Sequence, residues 1–205
     1  MKFTGFEKRD FDTFHIESLA GRMEAIQDRI QPKFQAIGEV LTDDLAAVLG
    51  NEMFLHIARH ARRTVNPPKD TWLAIANNKR GYKQHPHFQV GLFDDHVFIW
   101  LAFIYELPGK SDIAKKFLND IDIIEETIPN DYVISLDHMK KDSISMEEIN
   151  LKEALVRFRD VKKAEFLIGR HIDANDPILQ DGERFIALVK ETFETLIPIY
   201  KLSYS

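Results

Sequence analysis

Apolar residues recur every three or four positions along the first fifty residues and every second position along much of the next fifty. The period therefore changes from helix to strand midway through the first half of the chain. Leu19, Met23, Ile26 and Ile30 share one helical face, and Ser18 stands where an N-cap belongs. Pro32 predicts a kink, or a break before a second helix carrying Phe34, Ile37, Leu41 and Leu45, which Gly50 ends.

Further on, Thr71, Leu73 and Ile75 alternate with Trp72, Ala74 and Ala76. Phe88, Val90 and Leu92 alternate with His87, Gln89 and Gly91, which is strand spacing. The run Val97–Tyr105 is continuously apolar, as in a strand covered on both faces, and Asp94-Asp95 before it predicts a hairpin turn. The segment "NEMFLHIARH" fits either helix or strand. Beyond it the pattern predicts a helix after Asp112 carrying Ile113, Phe117, Ile121 and Ile124, a short strand in "DYVISLD", a helix over 146–158, and a strand in "AEFLIGRHI". A last amphipathic helix carries Phe185, Leu188, Val189, Thr192 and Leu196 and stops near Pro198. Adjacent strands without helices between them predict an α+β fold with a mostly antiparallel sheet, and residues 1–205 read as a single domain with helices packed on one side.

Composition narrows the function classes. The chain has 205 residues, 44 % hydrophobic and 29 % charged, the balance of a folded globular protein. There is no cysteine, which excludes disulfides, thiolate metal sites and a cysteine nucleophile. The start "MKFTGFEKRDFDTF" lacks the apolar region of a secretory signal, and the longest apolar run falls well short of the roughly 20 residues a spanning helix needs. The expected setting is the cytoplasm, with no membrane partner.

Charge brings in a candidate site. Between Leu55 and Gln89 stand Arg59, Arg62, Arg63, Lys69, Lys79, Arg80 and Lys83 against Asp70 alone, so this window carries +6 while the whole chain carries −6. Four of the eight histidines (His56, His60, His85, His87) lie in it too. A local cationic patch on an acidic body predicts a localised anion and not a whole-surface nucleic-acid coat. "TVNPPKD" is a stiff non-helical loop, and "NNKRGYK" is a second loop in which Gly81 permits positive φ. The alternation puts His87 and Gln89, with Trp72, on a polar, open face of the sheet. Arg62, Arg63, Lys69, Lys79, Arg80 and Lys83 would supply charge, His60, His87 and Gln89 hydrogen bonds, and Trp72 or Tyr82 a stacking surface. Whether both loops reach one pocket depends on the fold.

Other chemistry is thinner. His85 and His87, two apart on a strand, could share a metal, but no local carboxylate completes the set and the neighbouring cations oppose a divalent ion; no metal site is expected. Asp137-His138 at a strand end could do acid–base work, and Arg170 could extend the patch. No Gly-rich phosphate loop, nucleophile elbow or dinucleotide fingerprint occurs.

The stretch "HIARHARRTVNPPKDTWLAIANNKRGYKQHPHFQVGLF" resembles the YktB-like family of small bacterial proteins, as do the opening "GFEKRDFDTFHIESLAGRMEAIQDRIQPKF", "LDHMK" and "VKKAEFLIGR". The resemblance spans nearly the whole chain. It implies a two-layer α+β domain similar to TATA-binding-protein-like or biotin-ligase-like folds, bacterial and cytoplasmic, and it brings no established activity, cofactor or catalytic residue. The leading expectation is a binding protein for an anionic, phosphate-bearing small molecule or short RNA. The alternatives are an enzyme acting on an anionic substrate through His60, His85 or His87, and a module docking an acidic protein partner.

Overall fold

A computed structural model describes residues 2–205. Four strands follow one another in the region of alternation: β1 (Phe54–Ile57), β2 (Thr71–Ala76), β3 (His87–Leu92) and β4 (His96–Phe103). With β5 (Val133–Ser135), β6 (Ile144–Ser145) and β7 (Phe166–Asp173) they form a seven-stranded sheet in the order β1-β2-β3-β4-β7-β5-β6. Each neighbouring pair is antiparallel, so the expected α+β class holds. The ambiguous segment around Phe54 is strand, because Phe54 to Ile57 pair residue by residue with Ala76 to Leu73.

The helices are α1 (Lys8–Asp12), α2 (Leu19–Ala25), α3 (Gln31–Leu49), α4 (Lys110–Asn119), α5 (Ile121–Thr127), α6 (Leu151–Asp160) and α7 (Gly182–Leu202). They supply one face of the core, where Phe34, Ile37, Phe117, Phe158, Phe185 and Phe193 meet Leu73, Phe88, Val90, Ile99, Leu101 and Phe166 of the sheet. Phe88 packs on Phe193 with ring centroids 4.8 Å apart. Burying such rings contributes on the order of 2–3 kcal/mol each, and this layer is what holds the sheet. Among the described residues no helix is long and apolar enough to cross a membrane.

Five local expectations need correction. Pro32 does not separate two helices: α2 runs on into α3 through a π-helical turn at Ile26–Ile30, and this wider turn falls just where Pro32 removes a ladder N–H. The helix expected after Asp112 is two helices, because Asp120 leaves helical geometry at φ −111° and ψ 31°. The helix expected from Met146 begins at Leu151, capped by the Asn150 side chain accepting from Glu153 N–H at 3.1 Å. The last helix passes through Pro198 to Leu202, held by the buried Leu196, Ile197, Ile199 and Tyr200. Gly81 is not a positive-φ residue; among the described residues the one non-glycine that is, at 50°, is His60.

Among the described residues no helix joins the cluster on the second face of the sheet. Phe98, Trp100, Ala102 and Leu167 form a buried cluster with Phe93 and Ile104, flanked by Trp72 and Val133. Gly91 makes room for Phe98, since a Cβ there would run into its ring and into the Thr71 carbonyl at 2.7 Å. Loops close over this face. Lys141 reaches the hairpin acids Asp94 and Asp95, and Ser143 Oγ meets His171 Nδ1 at 3.3 Å.

Candidate functional site

The two basic loops meet on this second face, at its β1–β3 end. The loop at 58–70 is pinned at both ends. The Arg22 guanidinium donates to the Pro68 carbonyl at 2.8 Å, and His60 Nε2 lies 3.1 Å from Thr71 Oγ1. His60 also sets its ring edge-on to Trp72, with centroids 5.5 Å apart. Its left-handed backbone is a strained state that these contacts pin in place, and strain of this kind gathers at functional positions.

The loop at 77–86 does not continue past the end of β2 but folds back over it. The His56 Nε2–Asn78 carbonyl contact (2.9 Å) and the Arg80 N–H donating to Asn78 Oδ1 (2.8 Å) fix its start. The Trp72 indole N–H then donates to the Tyr82 hydroxyl at 2.9 Å, and the Tyr82 ring lies against His87 with centroids 4.9 Å apart.

Two hollows result, of about 850 and 430 Å³. Lys79, Arg80 and His85 line the larger; His60, Arg62, Arg63 and Trp72 line the smaller. Ala58, Arg59, Tyr82, Lys83 and Glu106 line both, so the two hollows adjoin. Among the lining cations Lys83 is paired, with Glu106 at 3.1 Å. Lys69 lines neither hollow. Arg170 stands elsewhere, over the Tyr132 ring and paired with Glu191 at 3.3 Å, so it stays apart from the two loops.

His87 and Gln89 do share a face with Trp72, but that face is not open there. They are 0 % and 4 % exposed. His87 Nδ1 donates to the His85 carbonyl at 2.7 Å, and the Gln89 amide donates to His87 Nε2 at 2.8 Å. Both ring nitrogens are thus committed, which takes His87 out of a shared metal site with His85. Burial drives the His87 pKa down to about 4. It does the same to His60, with the Arg63 charge adding to it.

Three further groups belong to this face. Asp70 is 3 % exposed, and burial raises its carboxyl to about 6, although His138 and Arg63 pull it back. Glu165 is equally buried and accepts from the Tyr105 N–H at 3.2 Å and the His138 N–H at 2.8 Å. His138 Nδ1 also lies 2.7 Å from Glu165, and among the described residues nothing bonds its Nε2. Burial lowers the His138 pKa, but the bond and charge of Glu165 outweigh it, so the net direction is upward. Asp137, His138 and Glu165 bring ligand atoms within 4.8 Å of one another, yet Glu165 is already committed to N–H donors. The arrangement is first of all a carboxylate–imidazole dyad. The sequence pattern passed over Glu165, although a lone acid opening an otherwise apolar strand is a signal.

Asp70→Asn tests how much the buried carboxylate costs. Its folded pKa exceeds the unfolded 3.8, so its stabilising balance is complete below pH 3.8 and lost as pH rises through about 6. The variant is expected to be more stable by about 1–3 kcal/mol at pH 8, with the gain gone at pH 4, in urea unfolding at both values.

The fold and site define a two-layer α+β protein in which two cationic loops close over a buried polar cluster. The chain belongs to the family described as Domain of unknown function (DUF1054), which matches residues 6–200. It is 60 % identical over 203 residues to a UPF0637 protein of Shouchella clausii, covering 99 % of this chain and 96 % of that one. It is 62 % identical over 199 residues to one of Oceanobacillus iheyensis, covering 97 % and 96 %. A Listeria monocytogenes UPF0637 protein is 52 % identical over 203 residues, 99 % of each chain. The resemblance to a bacterial family of unknown function is borne out.

Proposed function

We propose that this chain is a cytoplasmic, single-domain binding protein for a phosphate-bearing ligand, a nucleotide-like small molecule or a short RNA. The observation that supports it is the gathering of Arg59, Arg62, Arg63, Lys79, Arg80 and Lys83 around Trp72 and Tyr82 in two adjoining hollows. Guanidinium groups grip phosphate oxygens in pairs, and the neighbouring rings offer a flat surface for a base. His60 stands at the wall. His87 and Gln89 act from beneath, as the bonded floor under Tyr82, and Lys69 contributes field at a distance.

Thermal unfolding against inorganic phosphate, ADP and a short single-stranded RNA tests this. A ligand at 100 times its Kd adds about 2.7 kcal/mol. For a chain of this size that is a rise of roughly 5–10 °C. The rise is expected for one of these probes and is expected to disappear in Lys79→Ala/Arg80→Ala. Flat curves with all three overturn the proposal.

A second reading, an enzyme acting on an anionic substrate, is favoured by one arrangement. The Glu165–His138 dyad holds a histidine whose Nε2 no group among the described residues occupies. It moves the acid–base role from His60, His85 and His87 to His138. Turnover lost in His138→Gln with binding intact would favour it; a variant that binds and turns over unchanged would remove it.

A further inference from the structure

The Ala58 N–H donates to the Trp72 carbonyl at 2.9 Å, one step beyond the last pair of the β1–β2 ladder. Pairs in an antiparallel ladder alternate between bonded and non-bonded. Hence His56–Ala74 and Phe54–Ala76 are the bonded pairs, and Leu55 and Ile57 turn their N–H and C=O groups away from β2. Nothing in the sheet lies on that side, because β1 is the edge. All four β1 residues are partly exposed, whereas β3 and β4 are buried throughout.

The side chains of Leu55 and Ile57 are engaged with the helical layer, Leu55 directly on Gly38 of α3. Yet both residues also line the larger hollow. Their outward main chain presents two donors and two acceptors at strand spacing. Arg59, Lys79, Arg80 and Lys83 line the same hollow, against the one acid Glu106.

We propose that the free edge of β1 accepts an extended acidic peptide segment as an added strand lying in this hollow. Main-chain bonds to Leu55 and Ile57 supply register, and acidic side chains at alternate positions meet Lys79, Arg80 and Arg59. Charge selects the occupant. A second copy of this chain would bring the same cations against themselves, so β1-to-β1 pairing is opposed. The other edge, β6, is two residues long and too short to serve. The hollow is shared with the ligand proposed above, but the inference does not rest on that ligand, because unpaired backbone groups carry it.

The test is fluorescence anisotropy with a labelled peptide of alternating Glu and Val, beside the same peptide N-methylated at alternate residues and a Lys/Val counterpart. Saturable binding of the acidic peptide is expected, with N-methylation weakening it by about tenfold or more and the Lys/Val peptide silent. Amide exchange at Leu55 and Ile57 is expected to slow when the acidic peptide binds. Ile57→Pro removes one outward N–H and no ladder bond, and is expected to weaken binding similarly. If that variant does not fold, the N-methylated peptide against the natural chain gives the same answer. Equal affinity of the parent and N-methylated peptides, or unchanged exchange at Leu55 and Ile57, overturns the inference. ADP or RNA binding with no peptide binding overturns it and leaves the ligand proposal standing; peptide binding with flat nucleotide curves supports it and removes the other.

Discussion

Glu165→Ala is expected to lower the unfolding free energy by about 3–5 kcal/mol, the cost of taking one partner from a buried charged network. The carboxylate is 3 % exposed and is the acceptor for the Tyr105 and His138 backbone N–H groups and for the His138 ring. Removing it strands two main-chain donors and an imidazole on a face with little water. It also unties the loop at 136–143, whose far end Lys141 holds to Asp94 and Asp95. Glu165→Gln keeps one acceptor and is expected to cost less, about 1–3 kcal/mol. Urea unfolding at pH 7 measures both. In the Gln variant the His138 pKa is expected to fall, since burial remains after the charge opposing it is gone. A loss under about 1 kcal/mol for the alanine variant would mean that water replaces the carboxylate at every donor.

Acidification is expected to produce the second large effect. His60 and His87 are held neutral down to about 4 and His171 to about 3, each chiefly by burial, and His171 also by the His96 charge. The unfolded chain protonates these rings near 6.5, so between pH 6.5 and 4 it binds more protons and folding loses free energy as pH falls. For His87, fully buried, the loss is about 3 kcal/mol by the time pH passes its folded pKa. His138 and Asp70, both raised, work the other way over part of this range. The histidines outnumber them, and a net fall of several kcal/mol is expected from urea midpoints between pH 7 and 4. His87→Asn places an amide nitrogen near the donor position of Nδ1 and carries no titrating ring; it is expected to flatten the slope. A slope unchanged in that variant would place the acid sensitivity elsewhere.

Much of the fold was legible because secondary structure follows periods that the backbone itself imposes. Alternation from Thr71 to Ala76 and from His87 to Leu92 marked strands, and correctly put Trp72, His87 and Gln89 on one face. Alternation cannot say what covers that face. Its polar residues suggested solvent, but the neighbouring rows bring Phe98, Trp100 and Leu167 to the same side, and loops fold over them. Helix ends were read least well. Asp120 and Pro198 obey tertiary packing where local propensity points elsewhere.

By itself the sequence determined the fold class, the faces of its strands and the stretch where cations gather, because each depends on composition or on spacing within a few residues. Only the tertiary structure decided that the two basic loops border adjoining hollows, since the Trp72–Tyr82 and His56–Asn78 bonds turn the second loop back over its own strand. It alone also brought Glu165 to His138 and left the outward backbone of Leu55 and Ile57 without a partner among the described residues. Those facts depend on strand order and ladder phase, which are properties of the folded sheet and of no single segment within it.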